Sequence, residues 1–425
     1  MTSPSASPTS AISNRWIILA GGILVQLALG AIYAWSTFGK ALQAGPSAMH
    51  LSAVQAALPF ELALGMIFIG TFVGGRIQDA RGPRIVAVVG VVLYAIGIII
   101  SSFATTPGDL WLLLIGYGLI SGLGLGMAYI VPIALLQKWF PDKAGLITGL
   151  AVAGFGFGAV ITSPVAQMLI ERDPVHPTAP FLPLGIAYLI FGVLGSLTFV
   201  NPPSGWRPAG MPAPSNETTN STARDFTVKE ALSTPQWYLL TLILTLSTTA
   251  GITLVSGAAA AAANIAGYSA AAAAALVGIM GLFNGAGRIL WAALSDRVGK
   301  MNAFVGILAL QGICLILMPH LGTSAAAFAV LAAIIYTCYG GGFGAMPSTA
   351  GKFFGLTHSG SIYGLMLVAW SLGGVGGPLL SSALIGGDAE KNYMLGYTVI
   401  GVIALVGAVI PFLTKPPKVH ANSTF

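Results

Sequence analysis

Asn284 and Arg288 lie one helical turn apart in an apolar stretch of the chain, and their types and spacing suit anion binding. Residues at i and i+4 of a helix share a face, so a carboxamide and a forked guanidinium there would meet the same carboxylate. Arg288 is the only charged residue between Ala270 and Leu294. An ionised side chain in hydrocarbon costs about 2.5–3.5 kcal/mol on insertion scales, so a binding or coupling role is the expectation. Gly278, Gly281 and Gly285 complete a small, polar stripe with this pair. Ile279, Leu282, Phe283, Ile289 and Leu290 form the opposite, lipid-facing or packing side. Two other readings stay open. Arg288 could snorkel toward the interface near Asp296, about 12 Å away along the helix, or it could form a structural ion pair.

The one acid within an apolar stretch, Glu61, is the candidate partner for such a pair. By depth it belongs near the outer mouth, whereas Arg288 lies in the half nearer the cytoplasm, which argues against direct contact. Glu61 follows Pro59, where a kink could turn it toward a cavity. It reads either as a proton-relay carboxylate raised by burial or as an interfacial acid.

A second constellation occurs twice. Gly75-Arg-Ile-Gln-Asp79-Ala-Arg81-Gly82-Pro-Arg84 follows one apolar stretch, and Ala292-Ala-Leu-Ser-Asp296-Arg297-Val-Gly299-Lys300 follows another, with the two Asp residues 217 positions apart. An Asp beside a helix terminus with basic neighbours can pin adjacent helices in one state and release them in another. The Gly-rich stretches beginning at Gly149 and Gly364 repeat at an offset of 215, and Pro164 recurs as Pro378 at an offset of 214. Two coincident repeats at matching offsets indicate duplication.

The elements that must position these residues are apolar helices. The chain is 56% hydrophobic and 7% charged with a mean hydropathy of +0.86, unlike any soluble domain of its length. Runs of about 20 apolar residues predict twelve spans, at 16–38, 54–75, 84–103, 110–136, 145–169, 181–200, 236–262, 270–294, 302–320, 324–347, 359–384 and 393–414. The expected organisation is a disordered tail over 1–14, a six-helix bundle over 15–200, a Pro-rich linker over 201–235, a second bundle over 236–414 and a tail over 415–425. The fold class is therefore an all-α membrane protein of twelve helices in two pseudo-symmetric six-helix bundles. Of the 18 Lys and Arg residues, 14 fall on the side of the termini and linker, while Lys40, Arg172 and Lys391 fall on the other. The positive-inside rule then makes both termini cytoplasmic.

The same features exclude other classes. The net charge of +6 is a topology signal, and no folded basic surface is available for nucleic acid. Cys314 and Cys338 lie within spans, and His50, His176, His320, His358 and His420 lie in loops or tails without metal-ligand spacing. No metal, cofactor or catalytic cluster is expected, and the Gly-rich spans lack the Gly-Lys-Ser/Thr of a phosphate loop. A sugar carrier would show more Asn and Gln in its spans.

The paired Gly-x-x-x-Asp-x-x-Gly-x-Arg/Lys loops resemble the signature of the major facilitator superfamily. Narrower segments resemble its oxalate/formate antiporter family: Ala31-Ile-Tyr33-Ala-Trp35-Ser36, Lys138-Trp139-Phe140-Pro141-Asp142-Lys143, Phe283-Asn284-Gly-Ala-Gly-Arg288 and Pro347-Ser348-Thr349. The family's members are inner-membrane carriers of small carboxylates and are similar to the animal monocarboxylate transporters. The resemblance implies alternating access, with Asp79, Arg81, Gly82, Arg84, Asp296, Arg297 and Gly299 in gating loops. It also implies that Tyr33, Tyr129, Phe155, Tyr339 and Phe343 line a substrate cavity with Arg288 and Asn284. Where the oxalate-transporting relative has a lysine, this chain has Trp370. A dianion calls for two cations, so a single arginine points to a monoanion such as formate, lactate or pyruvate; oxalate/formate exchange is the alternative. Where animal carriers place an Asp four residues before the arginine, this chain has Asn284, which leaves Glu61 as the proton-coupling candidate. The expected partners are the anion, protons if symport occurs, and the bilayer, around a monomer.

Overall fold

The computed structural model describes residues 14–203, 206–208, 225–385 and 392–417. Most of the tail expected over 1–14, the polar run Ser215 to Ala223, Arg224, Lys391, Lys418 and His420 lie outside them. Among the described residues every regular element is helical, as expected where hydrocarbon supplies no partner for a free N–H or C=O.

Eleven helices are long and apolar enough to cross a bilayer: Arg15–Gln43, Val54–Arg81, Pro83–Ser101, Pro107–Trp139, Pro141–Arg172, Pro235–Ala266, Ala275–Val298, Lys300–Leu321, Ala325–Phe354, Ser359–Ile385 and Tyr393–Leu413. A shorter apolar helix, Phe181–Leu197, completes the set of twelve and is the sixth in order. It ends three residues before the expected 200, where the chain turns into Asn201-Pro-Pro. The tenth span corrects its expected end in the other direction. It continues through Pro347 to Phe354 and stops at Gly355, whose φ of 85° is left-handed. Just after Pro347 the Ser348 and Thr349 hydroxyls donate to the Ala345 carbonyl, at 3.1 and 2.8 Å, within a buried turn.

The duplication reappears as a duplicated packing scheme. The second span packs on the fourth as the eighth does on the tenth, the third on the sixth as the ninth on the twelfth, and the first on the fifth as the seventh on the eleventh. The two halves meet through the fifth span against the eighth and the eleventh against the second. Gly82 and Gly299, at φ of 90° and 94°, turn the chain sharply between consecutive helices at equivalent places. A short helix, Val228–Leu232, lies in the segment that joins the halves. We call the side of the molecule that carries this segment the linker face.

The Trp139-Phe140-Pro141-Asp142 motif is a tie on that face. The Trp139 indole donates to the Val200 carbonyl at 2.7 Å, and Arg15 pairs with Asp142 at 2.8 Å while its guanidinium carbon sits 4.6 Å from the Phe140 ring centroid. The ends of the first, fourth and sixth spans are thereby held together.

Candidate functional site

Arg288 is fully buried. Its Nε donates to the Asn284 Oδ1 at 3.3 Å, one turn back on the same helix, and its Nη1 donates to the Val152 carbonyl of the fifth span at 3.4 Å. Snorkelling is therefore not what this side chain does, because its head points across to the other half. An ion pair with Glu61 is not formed either. Glu61 is exposed on the second span, one turn from Leu64, whose carbonyl accepts from the Ser371 hydroxyl at 3.2 Å.

Close backbone approach fixes the position of Arg288. A Cβ at Gly344 of the tenth span would collide with the Arg288 carbonyl, and one at Gly340 would collide with that of Asn284. The helix carrying the pair is pressed against the tenth span along glycine. The first span is interrupted by a tighter turn at Gly30–Ala34, which packs Gly30 on the Phe155 backbone and brings Tyr33 to the Phe155 ring at 5.2 Å.

The expected aromatic residues converge around the guanidinium. Its carbon lies 5.6 Å from the Phe155 centroid and 5.4 Å from that of Phe343. Phe155 also contacts Tyr129 at 5.1 Å and Trp370 at 5.8 Å, and Phe343 contacts Trp370 at 4.9 Å and Tyr339 at 5.5 Å. Arg288, Asn284, Tyr33, Tyr129, Phe155, Tyr339, Phe343 and Trp370 therefore form one continuous cluster drawn from both halves.

The cluster is incompletely satisfied. Arg288 Nη2 is buried without a partner, as are the hydroxyls of Tyr33, Tyr129, Tyr339 and Tyr363. Tyr363, which was not among the expected site residues, lies seven positions before Trp370 on the same span. Among the described residues no acidic side chain pairs with Arg288. A buried cation beside unpaired hydroxyls and aromatic rings is a costly arrangement for a part that serves packing alone.

The cluster is closed toward the linker face. Asp79 Oδ2 accepts from the Ser361 N–H and hydroxyl, and the Thr71 hydroxyl donates to the Gly364 carbonyl at 2.9 Å. Between the fifth and eighth spans, Asp296 Oδ2 accepts from the Leu146 N–H at 3.2 Å, and Gly285 abuts Phe157. Beyond Gly285 the eighth span no longer meets the fifth along this stripe. Gly281 and Gly278, on the same stripe, face open space, while the Ser371–Leu64 bond still joins the eleventh span to the second. Of the other loop residues, Arg84 donates to the Phe199 carbonyl at 3.3 Å, while Arg81 and Arg297 are exposed.

Comparison with known proteins agrees with this architecture. The model of the Major Facilitator Superfamily matches residues 16–378. The MFS-type transporter YhjX of Escherichia coli (strain K12) is 26% identical over 374 residues, covering 87% of this chain and 88% of that one. The oxalate:formate antiporter of Oxalobacter formigenes is 25% identical over 414 residues, covering 96% and 95%. Among solved structures, the fucose:proton symporter FucP of E. coli superposes with a TM-score of 0.68 at 15% identity, over 94% of this chain and 98% of that one, a likeness of fold. With two mirrored bundles, a polar cluster between them and a family match over most of its length, this chain is a multi-pass membrane transporter that belongs to the major facilitator superfamily.

Proposed function

We propose that this transporter carries a small monocarboxylate anion of the formate, lactate or pyruvate class, with Arg288 as its charge partner. The observation that carries the reading is the buried guanidinium whose Nη2 lacks a partner and whose other contacts are neutral. One cation balances one negative charge. Asn284 holds the Nε and so aims the remaining edge of the fork at the aromatic chamber. Phe155, Phe343 and Trp370 exclude water, and the tyrosine hydroxyls of Tyr33, Tyr129, Tyr339 and Tyr363 offer donors to the carboxylate oxygens.

Transport follows by alternating access. The linker face is taken as cytoplasmic, with both termini there and the inner membrane as the location, because most Lys and Arg residues lie on that side. The cross-half bonds of Asp79 and Asp296 hold that side shut while the halves part on the other. Rocking about the cluster would break those bonds and expose Arg288 inward. Coupling is by anion exchange or proton symport, with Glu61 as the proton-coupling candidate, and the working unit is a monomer. Oxalate/formate exchange is the second reading, favoured by the name of the Oxalobacter relative and opposed by Trp370, which supplies no second cation.

Uptake of labelled formate, lactate, pyruvate and oxalate into proteoliposomes tests the reading, with and without a pH gradient and with trapped counter-anion. Saturable monocarboxylate uptake abolished by Arg288→Ala is the expected result. Wild-type flux in that variant would remove Arg288 from the site, and strong oxalate exchange would overturn the monoanion assignment.

A further inference from the structure

Two prolines stand at equivalent places in the helices that carry Tyr129 and Phe343: Pro132 in the fourth span and, 215 residues later, Pro347 in the tenth. Each removes one internal N–H donor and crowds the preceding turn, so that turn is held less firmly by its own helix and relies on neighbouring groups. In the tenth span Ser348 and Thr349 serve the turn from within, through the Ala345 carbonyl. The equivalent residues of the fourth span are Ile133 and Ala134, which have no hydroxyl. Two buried glutamines take their place. Gln26 of the first span donates to the Tyr129 carbonyl at 3.0 Å, and Gln78 of the second donates to the Val131 carbonyl at 3.2 Å.

Gln78 directly precedes Asp79, whose bonds to Ser361 latch the second span to the eleventh. Gly360 of the eleventh span sits against this corner, where a Cβ would lie 3.0 Å from Asp79 Oδ1 and 3.4 Å from Gln78 Oε1. The side chain of Gln78 therefore lies between the opposite half and the turn that follows Tyr129. Its Oε1 is buried without a partner, a cost that packing alone does not require. The second half makes a similar link with other residues. Lys300 Nζ joins Asp296 Oδ1 at 2.5 Å to the Ser348 hydroxyl at 2.7 Å, and Ser348 is one of the two hydroxyls that serve the Pro347 turn. Each gating aspartate is thus tied to the proline turn of its own half.

With Arg288 and Tyr129 as the substrate site proposed above, we infer that Gln78 is a positioning residue of the transport cycle, which carries release of the Asp79–Ser361 latch into the Pro132 turn and so resets Tyr129 against Arg288. While the latch is closed, the Gln78 amide holds Val131 where Tyr129 joins the cluster. When the second span moves away from Ser361, the amide draws that turn with it, and the affinity for the anion changes. Gln26 braces the same turn from the first span, away from both latches, and holds it without transmitting their state.

The test is a double-mutant cycle on the full chain in detergent, with calorimetric binding of whichever of formate, lactate and pyruvate binds tightest. Opening the latch with Asp79→Ala should change the affinity by about fivefold or more, the lower end of ordinary coupling between sites. In Gln78→Met, which keeps the side-chain length and removes the donor, the same step should shrink to less than about twofold, the range expected of uncoupled positions. In Gln26→Met the step should keep its full size. Gln78→Leu is the second variant if the thermal unfolding midpoint shows that Gln78→Met folds poorly. No change of affinity in Asp79→Ala alone, or a full-size step in the Gln78 variants, would overturn the coupling. So would loss of the step in Gln26→Met, because any loosening of the fourth span would then suffice. Binding retained in Arg288→Ala would remove the substrate site and this inference with it, whereas binding lost there together with a full-size step in the Gln78 variants would overturn the coupling alone.

Discussion

Asp79 Oδ2 accepts hydrogen bonds from both the backbone N–H and the hydroxyl of Ser361, at 2.8 and 2.7 Å, and so ties the end of the second span to the start of the eleventh. Asp296 makes the equivalent bond to Leu146 at the start of the fifth span. Leu146 and Ser361 are themselves 215 positions apart, so the duplicated chain closes its linker face with one device used twice. Each carboxylate sits at the N-terminal end of a helix from the other half, where free N–H groups and the helix dipole favour negative charge.

Asp79→Ala removes two charge-assisted bonds of about 1.5–3 kcal/mol each and should shift the carrier toward opening on the linker face. Spin labels at the exposed positions Ile85 and Val298, one in each half, should report longer distances in the variant. An unchanged distance distribution would show that these bonds do not set the equilibrium.

Arg288→Met should separate binding from stability. Loss of the guanidinium should weaken monocarboxylate binding by about 2–5 kcal/mol, read by calorimetry on the purified protein. Thermal stability of the empty carrier should hold or rise, because a buried charge with only neutral partners is replaced by a side chain that needs none. Arg288→Lys should not restore binding, since an ammonium lacks the planar fork. A large fall in stability with binding intact would assign Arg288 to structure.

Trp370→Lys places a second cation beside the Tyr33, Tyr129, Phe155 and Phe343 rings. Competition by oxalate against labelled monocarboxylate should strengthen by about tenfold or more, the effect of one charge-assisted hydrogen bond. If oxalate competes no better, charge matching is not what selects the substrate.

Asp225 docks the linker onto the turn after the tenth span. Its Oδ1 accepts from the Leu356 and Thr357 N–H groups at 2.9 and 3.2 Å, and its Oδ2 accepts from the Thr357 hydroxyl at 2.6 Å. Partial burial pushes its carboxyl upward, but the Thr357 hydroxyl and the two N–H groups outweigh this and hold it below the ordinary carboxylate range. A depressed value in the folded state makes the clamp fully effective above the unfolded value of about 3.9, with a progressive loss as pH falls through the folded value. Hydrogen exchange at the Leu356 and Thr357 amides, corrected for intrinsic rates, should therefore show constant protection from pH 7 down to about 4 and a loss below that. In Asp225→Asn protection should be weaker at neutral pH and should lack the acid step.

The sequence by itself determined the membrane class, the twelve apolar spans, the duplication and the small, polar face that Arg288 shares with Asn284. These follow from run length, charge placement and helical periodicity, which are properties of neighbours along the chain. It also marked Asp79 and Asp296 as a pair, by their offset of 217. Only the tertiary structure decided what those residues meet. It carried the tenth span through Pro347 and kept Glu61 away from Arg288, because each depends on how helices distant in sequence pack. It also left Arg288 Nη2 and Asp79 Oδ1 without partners. Whether a buried polar atom is satisfied depends on every element packed around it, and no local pattern of residue types carries that information.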